Sequence, residues 1–146
     1  MPLHFREITR HNWLQCVRLK VRPEQEVYVA SNAFSLAEAA YRTEFTPLGV
    51  YDGETMVGFV LYDLSKGKGW IVRLMIDADH QGKGYGGWAL RELIKLLQSR
   101  PDCREIYLDF VEGNAFAEAL YERVGFRRTG EVQNEVDVIA KLDWSR

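Results

Sequence analysis

At 146 residues, with 47% hydrophobic and 27% charged side chains, the chain has the size and balance of one globular domain with a buried core. A formal net charge of -2 supplies no overall positive field for nucleic acid or an anionic membrane. The charged opening segment and the lack of a run of about 18 apolar residues argue against a signal peptide or spanning helix, so residues 1–146 are expected to form a single cytoplasmic domain.

In chain order, LHFREIT alternates as a strand, and Asn12 is placed to cap a helix reaching about Val21, which Pro23 ends. A second short helix is expected after Ser35, whose Glu38 completes a capping-box pattern. The run from Thr46 to Leu64 reads as two strands turning at Asp52-Gly53, and GWIVRLMID continues the sheet. Tyr85 to about Gln98 is an amphipathic helix with Leu90, Leu93, Ile94 and Leu97 on one stripe. EIYLDFV is a strand, Asn114 opens a helix ending near Gly125, and FRRTGE and VDVIAKL complete the sheet. The fold expected is a mixed α/β (α+β) sheet of about seven mainly antiparallel strands, with about four helices on both faces.

Cys16 and Cys103 lack CxxC spacing and read as buried thiols, and His4, His11 and His80 show no metal-ligand spacing, so no metal site is expected. An exposed aromatic such as Trp144 is a candidate for a homodimer contact, though isolated surface aromatics are ordinary.

The most informative segment joins the strand RLMID to the helix through four glycines, Gly82, Gly84, Gly86 and Gly87. Such a turn at a helix start presents free amides to an anion, and Lys83 adds a positive charge. A Walker loop fails on spacing and on its missing Ser or Thr. Gly82, Gly84 and Gly87 satisfy GxGxxG, but Asp77 to Gln81 intervene before the glycines and too little chain follows Asp109 for two nucleotide-binding halves.

Gln81 to Gly86 resembles the Gln/Arg-x-x-Gly-x-Gly/Ala signature of the GNAT superfamily of acetyl-CoA-dependent N-acetyltransferases. EIYLDFVEGNAFAEALYERVGF is similar to that family's following strand and helix, and PEQ with VASNAFSLAEA to its bacterial spermine/spermidine acetyltransferases. The resemblance implies that Gln81, Gly82, Lys83, Gly84, Tyr85, Gly86 and Gly87 hold the pyrophosphate of coenzyme A. It implies that Leu74, Met75 and Ile76 pair with the pantetheine arm and acetyl group, that Asn114 contacts the pantetheine, and that Tyr121 protonates the departing sulfur. It also implies direct attack by the amine in a ternary complex, with neither cysteine an acyl carrier.

Asn114 and Tyr121 are seven residues apart, on one helix face about 10 Å along the axis. Asn114 also reads as a simple cap and Tyr121 as a core residue. Glu24, Glu26, Asp109 and Glu112 are the candidates for the base that takes the amine proton, each also readable as a solvated carboxylate. For the acceptor, Glu24, Glu26, Tyr28, Phe34 and Asp109 offer carboxylates and aromatic faces suited to a polyamine. A peptide N-terminus, a lysine or an amino sugar is the alternative acceptor, and a coenzyme A binding module without catalysis is the alternative class.

Overall fold

The computed structural model describes residues 2–144. In order they form β1 (Leu3–Glu7), α1 (Trp13–Arg18), α2 (Asn32–Tyr41), β2 (Phe45–Asp52), β3 (Thr55–Ser65), β4 (Lys68–Ile76), α3 (Tyr85–Gln98), β5 (Glu105–Val111), α4 (Ala115–Val124), β6 (Phe126–Gln133) and β7 (Asp137–Leu142). The strands make one sheet in the order β1-β2-β3-β4-β5-β7-β6, antiparallel throughout except where β4 meets β5. The expected mixed sheet with helices on both faces is thus the observed one.

Side-chain period explains the layering. The stripe Leu90, Leu93, Ile94 and Leu97 of α3 is buried against Val60, Ile71, Ile106 and Leu108 on one face, where α4 also packs. Each fully buried leucine there contributes about 1.5–3 kcal/mol. The opposite face gathers Cys16 of α1 and Leu36 and Ala39 of α2 over Phe59, Leu61 and Met75. Both cysteines are buried, and burial pushes the Cys16 thiol up to about 12. On β5, Ile106, Leu108 and Phe110 point to the α3 side, so Tyr107, Asp109 and Val111 point to the other.

Four local expectations need correction. α1 stops at Arg18, because Leu19 turns extended and the Lys20 main chain bonds to Asp77 and Ala78 beyond β4. Asn12 occupies the cap position, but its side chain is spent on Thr9 N, Glu7 O and the Tyr51 hydroxyl. The cap of α2 is Ser31, whose Oγ accepts from Phe34 N at 3.1 Å, while Ser35 is buried inside the helix and Glu38 pairs with Arg73. Trp144 is not a free surface aromatic, since it packs partly against the α3-side core.

The feature that positions the site is a short ladder. Only Lys68–Ile71 of β4 pair with Glu105–Leu108 of β5. Beyond them β4 stays with β3 as far as Ile76, and β5 stays with β7 as far as Val111. Leu61 pairs with Arg73 and Tyr62 with Ile71, which leaves Val72 as a bulge where the two strands part. The result is a wedge-shaped opening in the middle of the sheet.

Candidate active site

Along one wall of this opening run Leu74, Met75 and Ile76, which have no partner on β5. A stretch of strand main chain unpaired on one side is a template for an extended ligand. Among these three Met75 is buried toward α2, and Leu74 and Ile76 pack partly against the α3-side core. Close approach of β3 holds this wall in place: a Cβ on Gly58 would lie 2.6 Å from Met75 O.

At the end of that wall, Gly82 and Gly84 adopt φ of +82° and +85°, a left-handed backbone that favours glycine. A Cβ on either would meet nothing within 4 Å, so the turn is open on its outer side rather than filled by packing. Gly84 is the N-cap of α3 and offers no side chain to its amides. Free donors, positive dipole end and open space together fit a diphosphate. Lys83 is exposed beside them.

Two side chains of the turn face inward. Tyr85 is buried and its hydroxyl donates to Asp52 Oδ2, which raises the phenol pKa and fastens α3 to the β2–β3 hairpin. Only its main chain is left for the turn. Gln81 Nε2 donates to Ile76 O at 2.9 Å and to Gln25 Oε1 at 2.8 Å.

The opposite wall is β5 and α4. Asn114 caps α4, with Oδ1 accepting from Ala117 N at 3.4 Å, and its amide nitrogen has no hydrogen bond within the described residues. Tyr121 is half-buried between Phe110 and Phe126, at ring distances of 5.8 and 6.3 Å. Burial first, and the negative charge of Asp109 second, push its hydroxyl up to about 12, so it stays protonated at any working pH. Asp109 is half-buried on β5, accepts from Gln133 Nε2, and is raised above the ordinary carboxylate range, burial being the largest cause.

The remaining predicted residues are held differently. Glu24, Glu26, Tyr28 and Phe34 are exposed on the segment between α1 and α2 and on the first turn of α2. Glu112 is bound bidentately by Arg128, which also holds Glu118, and that contact keeps Glu112 below its usual range. Among the described residues no group of three or more His, Cys, Asp or Glu is placed to hold a metal, and no helix is long and apolar enough to cross a membrane.

Residues 7–126 match the model of the acetyltransferase (GNAT) family. The chain belongs to that family. The spermine/spermidine N(1)-acetyltransferase of Bacillus subtilis strain 168 is 33% identical over 140 residues, covering 90% of this chain and 92% of the relative. Spermidine N-acetyltransferase from Vibrio cholerae, solved with CoA and spermine, superposes with a TM-score of 0.75 at 18% identity, covering 95% of this chain and 92% of that one. An aminoglycoside acetyltransferase solved with coenzyme A gives 0.78 at 19%, covering 95% and 92%. The GNAT chain is an acetyl-CoA-dependent N-acetyltransferase with the fold of these enzymes.

Three further residues lie beside this candidate site and were not singled out from the sequence. Arg91 Nη1 would be 2.9 Å from a Cβ on Gly87, so a second cation lies beside the last glycine of the turn. A spacing of four on a helix carried that signal. Arg73 lies at the strand separation and pairs with Glu38 of α2 at 3.0 Å, and Gln25 reaches Gln81. Neither pairing leaves a trace in linear spacing.

Proposed function

We propose that this enzyme acetylates a primary amine of a polyamine such as spermine or spermidine, by direct attack in a ternary complex. The observation that carries the acceptor assignment is the 33% identity, over nearly the whole chain, to a spermine/spermidine acetyltransferase. The reading takes residues 1–146 as one N-acetyltransferase domain, acting in the cytoplasm, with a homodimer as its candidate assembly.

When bound, acetyl-CoA supplies an acetyl group activated as a thioester. The residues fit it as follows. The amides of Gly82 to Gly87, with Gln81, Lys83 and the Tyr85 main chain, hold the diphosphate. Leu74, Met75 and Ile76 offer strand main chain to the pantetheine arm, and an amide there steadies the carbonyl oxygen as charge builds. Asn114 offers its free amide nitrogen from the other wall.

Proton handling falls to Asp109 and Tyr121. Among the candidate bases, Glu112 is neutralised by Arg128 and held low, whereas Asp109 is held high and so takes a proton more readily. Tyr121 Oη keeps a proton to offer, but at about 12 it is a far weaker acid than a thiol near 8.5. Its pKa is raised in part by the Asp109 charge. Once Asp109 has accepted the amine proton that charge is gone, and Tyr121 becomes a stronger acid than it was before, leaving burial as the remaining cause of its raised pKa when the sulfur needs a proton. Glu24, Glu26, Tyr28 and Phe34 receive the remote ammonium groups.

A thiol-release assay with acetyl-CoA tests this against spermine, spermidine, a lysine peptide, a peptide N-terminus and an amino sugar. The polyamines should exceed the others by about 100-fold in kcat/KM, a discrimination worth about 2.7 kcal/mol. A better peptide or amino sugar would displace the polyamine. Thiol release with none would leave a binding module.

A further inference from the structure

Residues 19–31 join α1 to α2 and carry Glu24, Glu26 and Tyr28. Apart from one turn at Pro23–Gln25 they have no regular structure, and Val27 is 75% exposed. What fixes them is a set of ties to the connection that follows β4. Lys20 N donates to Asp77 Oδ1 at 2.9 Å, and Lys20 O accepts from Ala78 N at 2.8 Å. Five residues on, the amides of Gln25 and Gln81 form a reciprocal pair, Gln81 Nε2 to Gln25 Oε1 at 2.8 Å and Gln25 Nε2 to Gln81 Oε1 at 3.3 Å. Gln25 Oε1 also accepts from Arg22 N at 3.1 Å, so the pair grips the main chain of its own turn. At the far end, buried Asn32 donates to Cys16 O and Met75 Sδ.

Between Lys20 and Asn32, the Gln25–Gln81 pair is the only hydrogen-bonded link among the described residues from this segment to the glycine-rich turn. Gln81 is the first residue of that turn, and its Nε2 is shared between Ile76 O and Gln25. Fixing the turn on a ligand fixes Gln81, and a fixed Gln81 lowers the entropy lost when Gln25 docks on it. We propose that Gln25 is a positioning residue that couples occupation of the phosphate turn to ordering of residues 20–31, so that the amine subsite assembles on the CoA-bound enzyme. The inference rests on the assignment of Gln81 to Gly87 as the CoA turn.

Hydrogen exchange of the full chain, resolved by peptide and measured with and without CoA, tests this without any amine or turnover. In the wild type, CoA should slow exchange both in residues 77–90 and in residues 20–31, the latter at least about fivefold. In Gln25→Ala, 77–90 should be protected as before while 20–31 stays within about twofold of the free protein. The double variant Gln25→Glu/Gln81→Arg replaces the amide pair by an ion pair and should restore the protection of 20–31, a rescue that loss of bulk stability would not give. Protection of 20–31 that is absent in the wild type, unchanged in Gln25→Ala or not recovered in the double variant overturns the coupling. If CoA protects nothing, the cofactor turn is misassigned and the coupling falls with it, whereas protection of 77–90 alone defeats the coupling only.

Discussion

The turn after β4 and the segment between α1 and α2 lie together beyond the end of β4, yet they are held by different forces. The turn is constrained by covalent geometry and packing: left-handed Gly82 and Gly84, buried Tyr85 on Asp52, and the α3 stripe driven into the core. The segment is constrained by a few side-chain hydrogen bonds, and its candidate acceptor residues are exposed. In the proposed assignment the diphosphate of CoA, the same whatever the amine, meets a rigid cradle, and the choice of amine falls to a surface free to vary without unfolding the core.

Substitutions can break or sharpen this contrast, and the largest effects belong to the packed side. Tyr121→Phe should lower kcat by about 100-fold with the KM for acetyl-CoA little changed, because it removes the proton donor but keeps the ring between Phe110 and Phe126. Steady-state kinetics decide it, and an unchanged kcat removes Tyr121 from the chemistry. Asp109→Asn should lose a comparable factor in turnover, about 100-fold, while making the protein more stable at pH 7. The folded Asp109 carboxyl is raised by burial, so the folded state holds that proton more tightly than the unfolded chain. Its stabilising effect is fullest below the unfolded pKa of about 3.9 and declines as pH rises through the folded pKa, so the two proteins' melting temperatures should separate above that window and converge below it.

Next come two glycines of the same wall. Gly58→Ala should cost about 2 kcal/mol in chemical denaturation, since its Cβ meets Met75 O and backbone cannot step aside cheaply. Gly84→Ala meets no atom, so only the strain of a left-handed alanine remains, about 1–2 kcal/mol, but the new methyl projects where the diphosphate is proposed and should weaken CoA binding in calorimetry. The smallest effect should come from the exposed segment: Glu26→Gln should change the KM for spermine by no more than about fivefold, in keeping with the small worth of a solvated ion pair. A larger loss would mean that this surface closes over its substrate.

The same division decides what could be read from the sequence. The α3 helix, the Asp52-Gly53 turn, β5 and the glycine-rich connection each announce themselves through period or backbone demand over a few adjacent residues, and all lie where expected. The end of α1 did not, because Val21 continues the helical spacing of Leu14 and Val17, a pattern that Asp77, far along the chain, interrupts by taking the Lys20 amide. Ser35 with Glu38 satisfied a capping pattern, yet Ser31 is the cap and Glu38 answers Arg73. Contacts between distant segments decide these points, and so they decide the acceptor side, where Gln25 reads as an ordinary polar residue until Gln81 is seen beside it.

The central claim is that the opening between β4 and β5 receives the thioester arm and the turn after it grips the diphosphate. A crystal structure of the complex with CoA tests it most directly. It should show the diphosphate on the amides of Gly82 to Gly87 and the pantetheine arm lying along Leu74 to Ile76, with Asn114 and Tyr121 across from it. Diphosphate bound elsewhere, with this turn facing only solvent, would contradict it.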